Sequence, residues 1–263
     1  MLNHVTQLIF LGTGTGVPSA ERGSSAALLK LPETNLLIDI GPGTLRQLAK
    51  VSVPITEIDY ILLTHLHPDH SIDLASFLFG TKYPPYLIKR RPFHLLAGTD
   101  FEAFYNNLLR LYGHWIELPL GLLIHTPLPQ DRTLEKKFPS FFLETGPVSH
   151  TSSSIGFRFT LPDRKVLVFS GDSDYSPSIV ELARKADLLV LECSFPEGQK
   201  VAGHLTPSLA GRIAREAEVK QLVLTHFYPE CDGQDLIGPC KGEYSGKIRL
   251  AEDFMTLSLE NEI

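Results

Sequence analysis

Four of the six residues from His65 to His70 can ligate a metal ion, in the run His65-Leu66-His67-Pro68-Asp69-His70. No other feature constrains the fold as strongly. The run follows residues 58–64, an apolar, β-rich stretch that reads as a strand. If the chain stays extended beyond that strand, His65, His67 and Asp69 point to one side and His70, next to Asp69, projects elsewhere, free to serve a second ion. Imidazole and carboxylate suit zinc, iron or manganese. Asp69 also lies just before a helix, where negative charge is favoured.

Around this run, short apolar β-rich stretches alternate with helical ones. Residues 8–11, 26–31 and 36–40 predict a meander of strands. Gly41-Pro42-Gly43 breaks it, and Leu45, Leu48 and Ala49 continue at helical spacing. Ile72, Leu74, Ala75, Leu78 and Phe79 predict a helix beginning near Ser71, residues 93–97 a strand and residues 101–111 an amphipathic helix. Residues 113–130 show no clear period. Strands are then predicted at 141–148, 155–161, 166–170, 188–192 and 221–225, with helices at 179–184 and 208–216. Nothing resembling a linker separates the halves, so one domain spanning 1–263 is expected, with pseudo-halves of about 1–135 and 136–263.

With 43% apolar residues over this length, the chain can bury a core covered on both faces. A formal charge of −6 argues against a protein that coats nucleic acid. Its one dense cationic run, Lys89-Arg90-Arg91, reads as a solvated loop. The three cysteines, Cys193, Cys231 and Cys240, are odd in number and lack a C-x-x-C spacing, which fits a reducing compartment. The N-terminus has no signal-peptide pattern and no apolar run approaches the roughly 18–20 residues of a membrane span. A cytoplasmic protein with no membrane contact is expected.

The pattern His65-x-His67-x-Asp69-His70 resembles the signature of the metallo-β-lactamase superfamily. The likeness runs from Phe10-Leu11-Gly12-Thr13-Gly14 through Leu37-Ile38-Asp39-Ile40-Gly41, Val148-Ser149-His150 and Ser170-Gly171-Asp172-Ser173 to Leu224-Thr225-His226. It implies an α/β protein, an αβ/βα sandwich of two mixed sheets with outer helices and the metals at one edge. It also implies that His65, His67 and His150 hold one divalent ion, that Asp69, His70 and His226 hold another, and that Asp172 bridges them. Zinc is the first expectation, with manganese or iron as alternatives. Asp39 matches a position that orients a ligand rather than binding metal.

Two divalent ions carry +4 and the two carboxylates, Asp69 and Asp172, return −2, so the site favours anions. Coordination lowers the pKa of water toward about 7, and a bridging hydroxide then supplies the nucleophile, which Asp69 can orient. Phosphoesters, thioesters, lactones and lactams all need this nucleophile. Gly203-His204-Leu205-Thr206-Pro207 narrows the choice: Thr206 suits an N-cap and Pro207 a first helical residue, so His204 stands before a helix N-terminus, placed to protonate a departing alkoxide. Here the chain resembles the ribonuclease Z branch, which also carries a glutamate late in the preceding strand. Glu192 matches it in Leu191-Glu192-Cys193-Ser194, although Leu191 stands where the branch often has histidine. Asp69, His204 and Glu192 are thus the expected catalytic group.

Only 21 residues separate His150 from Asp172, too few for the basic arm with which tRNA-processing members grip tRNA. The expected substrate is a small or cyclic phosphodiester, a nucleotide or an RNA 3′ end, with tRNA disfavoured. The alternatives are a thioesterase or lactonase of the same fold and a non-catalytic nucleic-acid-binding module. A homodimer is expected by analogy with relatives.

Weaker signals complete the reading. Gly12-Thr13-Gly14-Thr15-Gly16 is followed by a strand, not a helix, so a dinucleotide fingerprint fails. Arg22-Gly23-Ser24-Ser25 reads as a turn that also offers a guanidinium and the Ser24 and Ser25 hydroxyls to a substrate phosphate. Tyr112-Gly113-His114-Trp115 brings aromatics to a pocket or a dimer contact. His4, His94 and His125 read as structural or exposed.

Overall fold

The computed structural model describes residues 6–129 and 134–259; His4 lies outside them. In chain order, β1 (Gln7–Gly12), β2 (Ala26–Leu31) and β3 (Thr34–Ile38) lead to α1 (Thr44–Lys50), β4 (Tyr60–Leu62), the single turn α2 (Pro68–Ser71), α3 (Asp73–Thr81), α4 (Pro84–Leu87), β5 (Phe93–Gly98), α5 (Phe101–Tyr112) and β6 (Leu123–Leu128). Then come β7 (Leu134–Lys137), β8 (Phe142–Pro147), β9 (Ile155–Thr160), β10 (Val166–Phe169), α6 (Pro177–Leu182), β11 (Leu188–Glu192), α7 (Pro207–Glu216), β12 (Gln221–Thr225), α8 (Ile237–Glu243), β13 (Lys247–Leu250) and β14 (Thr256–Ser258).

Among the described residues these strands form two seven-stranded mixed sheets, ordered β14-β1-β2-β3-β4-β5-β6 and β13-β12-β11-β10-β9-β8-β7. Alternation along each strand explains why they stack. In β1, Leu8 and Phe10 face the other sheet while Ile9 and Leu11 face the helices. Leu36 and Ile38 of β3 likewise look inward and Leu37 outward. Phe157, Phe159, Leu167, Phe169 and Val190 meet the first set from the second sheet, giving one central core between the sheets. Outside, Leu48, Leu74, Phe77 and Phe101 cover the first sheet, and Ile179, Ile213 and Ala214 cover the second. Strands buried on both faces read as unbroken apolar runs, and each large side chain so buried contributes roughly 1.5–3 kcal/mol. The αβ/βα sandwich is the architecture the resemblance implied.

Strand direction decides where the site forms. β3, β4, β5 and β6 run parallel, as do β10, β11, β12 and β13. Their C-terminal ends therefore collect at one edge of each sheet, where open α/β sheets place their ligands. β8 runs antiparallel to β9, and β9 to β10, so β8 also ends at that edge.

Several expectations need correcting. β3 stops at Ile38 because Asp39 turns into the left-handed region, at φ 58°. In α3 the buried face uses Phe77, whereas Ile72 and Phe79 are 41% and 61% exposed. β6 and a 3-10 turn at Gly113–Trp115 occupy the segment without a clear period. β7 begins at Leu134, and β14 crosses back to pair Ser258 with Gln7 in the first sheet. Among the described residues no helix is long and apolar enough to cross a membrane.

The cationic run is not uniformly solvated either. Lys89 and Arg91 are exposed, but Arg90 is 7% exposed, lies 4.2 Å from the Phe93 ring centroid and donates to the carbonyls of Ile55 and Ile58 at 2.8 and 2.6 Å. Arg90→Ala would strand both carbonyls and strip the Phe93 face. We expect it to destabilise the protein by about 2–4 kcal/mol in urea unfolding; an unchanged midpoint would contradict this account.

Candidate metal centre

Parallel neighbours deliver the site's parts in register. Asp39 directly follows β3, and its backbone N–H donates to Leu62 at the end of β4 (2.8 Å). Its carboxylate accepts from the Thr64 amide (2.8 Å) and from the Thr64 hydroxyl (2.9 Å). That carboxylate also takes the Nδ1 proton of His70 at 2.8 Å. From the second sheet, His150 follows β8, Asp172 follows β10, Glu192 ends β11 and His226 follows β12. His226 too adopts a left-handed conformation, at φ 60°, a strained choice for a non-glycine residue that turns its ring inward.

Asp172 stands at the middle. Its Oδ2 lies 3.8 Å from His65 Nε2 and 3.6 Å from His150 Nε2. Its Oδ1 lies 3.2 Å from His70 Nε2 and 3.3 Å from His226 Nε2. His67 Nδ1 approaches His150 Nε2 at 3.2 Å, completing the first group, and Asp69 Oδ2 approaches His226 Nε2 at 3.5 Å, completing the second. Ligand atoms about 2.0–2.2 Å from one tetrahedral ion sit about 3.3–3.6 Å apart. The spacings quoted, 3.2–3.8 Å, lie close to that range in both groups, with one carboxylate oxygen turned to each group.

Proton placement supports the same conclusion. Thr64 gives its hydroxyl proton to Asp39, so it can only accept from His65 Nδ1 (3.1 Å). His150 Nδ1 donates to the Gly203 carbonyl (3.0 Å). Ser194 Oγ donates to Glu192 (2.6 Å) and so accepts from His226 Nδ1 (3.0 Å). In each neutral ring Nε2 is then a lone pair, and these lone pairs converge. His65 Nε2 and Asp172 Oδ1 are buried without a hydrogen-bond partner, a costly arrangement unless a cation meets them. The residues present fit divalent metal ions.

The electrostatics agree. Burial pushes the His65 imidazole well below its ordinary value, with His70 adding to the effect. Burial alone would raise Asp172, but the surrounding His226 and His70 hold it well below the usual carboxylate range. Burial also disfavours a charge on His70, yet Asp172 and Asp39 flank it and raise it well above its ordinary value. A proton and a metal ion are alternative ways of meeting that negative charge.

Beside this centre lies His204, its ring 4.8 Å from that of His150 and parallel to that of His226 at 6.1 Å. Its Nδ1 donates to Glu192 Oε1 at 2.9 Å. Burial lowers the His204 imidazole, but that hydrogen bond and the Glu192 charge outweigh it and leave the ring raised. Glu192 itself is 1% exposed and accepts from the backbone amides of Ser173, Ser194 and Leu205 as well.

A family model described as a β-lactamase superfamily domain matches residues 34–227. The chain belongs to the β-lactamase superfamily. Across 92% of its length it is 29% identical to the ribonuclease Z of Brevibacillus brevis, covering 90% of that protein. The metallo-β-lactamase fold protein YhfI of Bacillus subtilis is similar in structure, with a TM-score of 0.81 and 25% identity over 96% of this chain and 99% of that one. The short form of human tRNase Z covers the same shares with a TM-score of 0.77 and 26% identity. The expectation of a metal-dependent hydrolase stands on this membership and these relatives.

Within the superfamily fold, the seven expected ligands come together, but Asp69 does so differently from the extended-chain reading. Pro68 starts a helical turn, so Asp69 and His70 face His226 while His65 and His67 face His150. Thr206 does occupy the N-cap position ahead of Pro207, without a side-chain capping bond. Ser24 Oγ donates to the Thr15 carbonyl at 3.0 Å, and Ser25 lines a cavity with His70, Asp172 and His226 as well as with Phe10, Ala27 and Val190. Arg22 is equally committed: it donates to Thr13 Oγ1 (2.8 Å) and to the Ala251 carbonyl, and lies 4.6 Å from the Phe227 ring centroid. Tyr112 and Trp115 line an apolar surface groove with Phe79, in which no ligand takes part. His94 stacks on Tyr60 and His125 packs on Phe101, as structural histidines.

Ser194, which links His226 and His204 to Glu192, was missed. Its signal is the i, i+2 spacing from Glu192 at a strand end, which puts both side chains on one side.

Proposed function

We propose that this chain is a binuclear metal-dependent phosphodiesterase of the ribonuclease Z-like branch, acting on a small or cyclic phosphodiester or an RNA 3′ end. One observation carries the reading: Asp172 turns one oxygen to His65 and His150 and the other to His70 and His226, with His204 alongside. The first ions to test are zinc, then manganese and iron. Two divalent ions held by these ligands would supply a water ionised at neutral pH and positive charge for an anionic substrate.

The chain's own groups do the rest. Asp39, Thr64, Ser194 and the Gly203 carbonyl each fix one ring nitrogen and so aim the other. Asp69, half-buried beside His226, orients the attacking water. His204 delivers a proton to the departing alkoxide. Glu192 is too deeply buried to touch substrate, so its part is to hold His204 in the proton-bearing orientation.

A leaving alkoxide needs a proton donor far more than a thiolate does, which favours a phosphodiester over a thioester. The complete ligand set argues against a non-catalytic nucleic-acid-binding module. The ribonuclease Z and tRNase Z names of the relatives support a nucleic acid or nucleotide ester, while the charge of −6 and the short span from His150 to Asp172 disfavour tRNA. We expect hydrolysis of bis(p-nitrophenyl) phosphate, lost by at least about 100-fold on chelation and recovered with zinc or manganese. Metal-loaded protein that cleaves thioesters or lactones but no phosphodiester would overturn this assignment.

A further inference from the structure

We propose that Asp174 is a positioning residue for His204, bracing the loop on which that histidine rides. His204 is reached through residues 197–202, six consecutive exposed residues with no regular secondary structure. An unbraced loop of this kind would let the ring wander. A proton donor misplaced by 1 Å loses on the order of 100-fold in rate.

The Asp174 carboxylate ties the loop down by two routes. Its Oδ2 accepts from the Gly203 amide at 3.1 Å, one residue before His204. The same oxygen accepts from Lys200 Nζ at 2.7 Å, and Lys200 Nζ donates in turn to the Val201 carbonyl at 2.7 Å. That carbonyl accepts the backbone N–H of His204 at 3.3 Å. The first route ends at Gly203, next to His204, and the second at the His204 backbone itself. Asp174 is itself anchored independently of its side chain, because its backbone N–H donates to the Ser149 carbonyl at 2.6 Å.

Gly203 shows how tight the junction is. It sits at φ +86°, and a Cβ there would lie 3.1 Å from His150 Nδ1. Its amide faces Asp174 and its carbonyl accepts from His150. Asp174 therefore joins the strand-end loops that carry His150, Asp172 and His204, through its backbone N–H to Ser149 and its carboxylate to Gly203 and Lys200, and the sequence alone assigns it no role.

This inference rests on His204 acting as a proton donor, and the test separates the two. Zinc-loaded wild-type, Asp174→Ala, Asp174→Asn and Lys200→Met proteins would be compared for metal content, for amide exchange over residues 201–205, and for turnover of two esters. One is bis(p-nitrophenyl) phosphate, whose leaving group needs little protonation. The other is whichever of a ribodinucleotide and a cyclic nucleotide the wild type cleaves faster, each with an alkoxide leaving group.

Asp174→Ala should lose about 30- to 100-fold on the alkoxide ester and less than about 3-fold on the p-nitrophenyl ester, with full metal content and about 10-fold faster exchange. Asp174→Asn keeps an acceptor for Gly203 and should recover most of the loss. Lys200→Met cuts one route and should cost about 5-fold on the alkoxide ester. An unchanged ratio between the two esters together with unchanged exchange overturns the proposal. So does loss of metal, which would assign Asp174 to holding His150 instead. If the wild type cleaves no phosphodiester, the functional reading fails and amide exchange alone decides the brace. If Asp174→Ala does not fold, Lys200→Met decides it, and wild-type behaviour of that variant on both readouts counts against the brace.

Discussion

Asp172→Ala is expected to abolish phosphodiester turnover, by about 10³-fold or more, and to leave the protein with fewer than two bound ions per chain. Its carboxylate faces both ligand groups: one oxygen lies 3.6–3.8 Å from His65 and His150, the other 3.2–3.3 Å from His70 and His226. Removing it takes away a ligand from each ion and the negative charge that lets two cations approach. Asp172→Asn keeps the shape but not the charge and should retain part of the metal. Elemental analysis of the purified variants alongside turnover would check this. An alanine variant that holds two ions and turns over normally would refute the binuclear arrangement.

His204→Ala should have the second largest effect, of a different kind. Turnover of an alkoxide ester is expected to fall by about 10²- to 10⁴-fold, the usual worth of a placed proton donor, while metal content stays at the wild-type level. Bis(p-nitrophenyl) phosphate should be affected much less, since its leaving group is stable as an anion. Removing His204 costs Glu192 one of its hydrogen bonds, but three backbone amides and Ser194 still satisfy the carboxylate, so the fold should survive. Full turnover of both esters by this variant would remove the proton-donor role. The loss also sets the ceiling for Asp174→Ala, which acts only through His204.

The strands that carry ligands were legible because they are buried on both faces and read as apolar runs: Leu188–Glu192 and Gln221–Thr225 were predicted with their observed bounds. β7, β13 and β14 were not. Leu134-Glu135-Lys136-Lys137 sits at a sheet edge and buries little, so it lacks the alternation that marks a strand. β14 owes its place to β1, more than 240 residues away in the chain, which no local pattern reports. Arg90 looked like part of a solvated charge run because its aromatic cover comes from Phe77 and Phe93, outside the run itself.

The sequence by itself determined the chemistry on offer. The density of imidazole and carboxylate between His65 and His70 is a local property, readable without a fold, and so is the Thr206-Pro207 helix start that positions His204. Which ligand joins which group was decided only by tertiary structure. Pro68 turns Asp69 away from His65 and His67, parallel strand ends bring His150, Asp172 and His226 to the same edge, and the helpers Ser194 and Asp174 gain partners only where loops from separate strands touch. Ligand type is written in single residues, but coordination and proton placement depend on distances of about 3 Å between segments that are far apart along the chain.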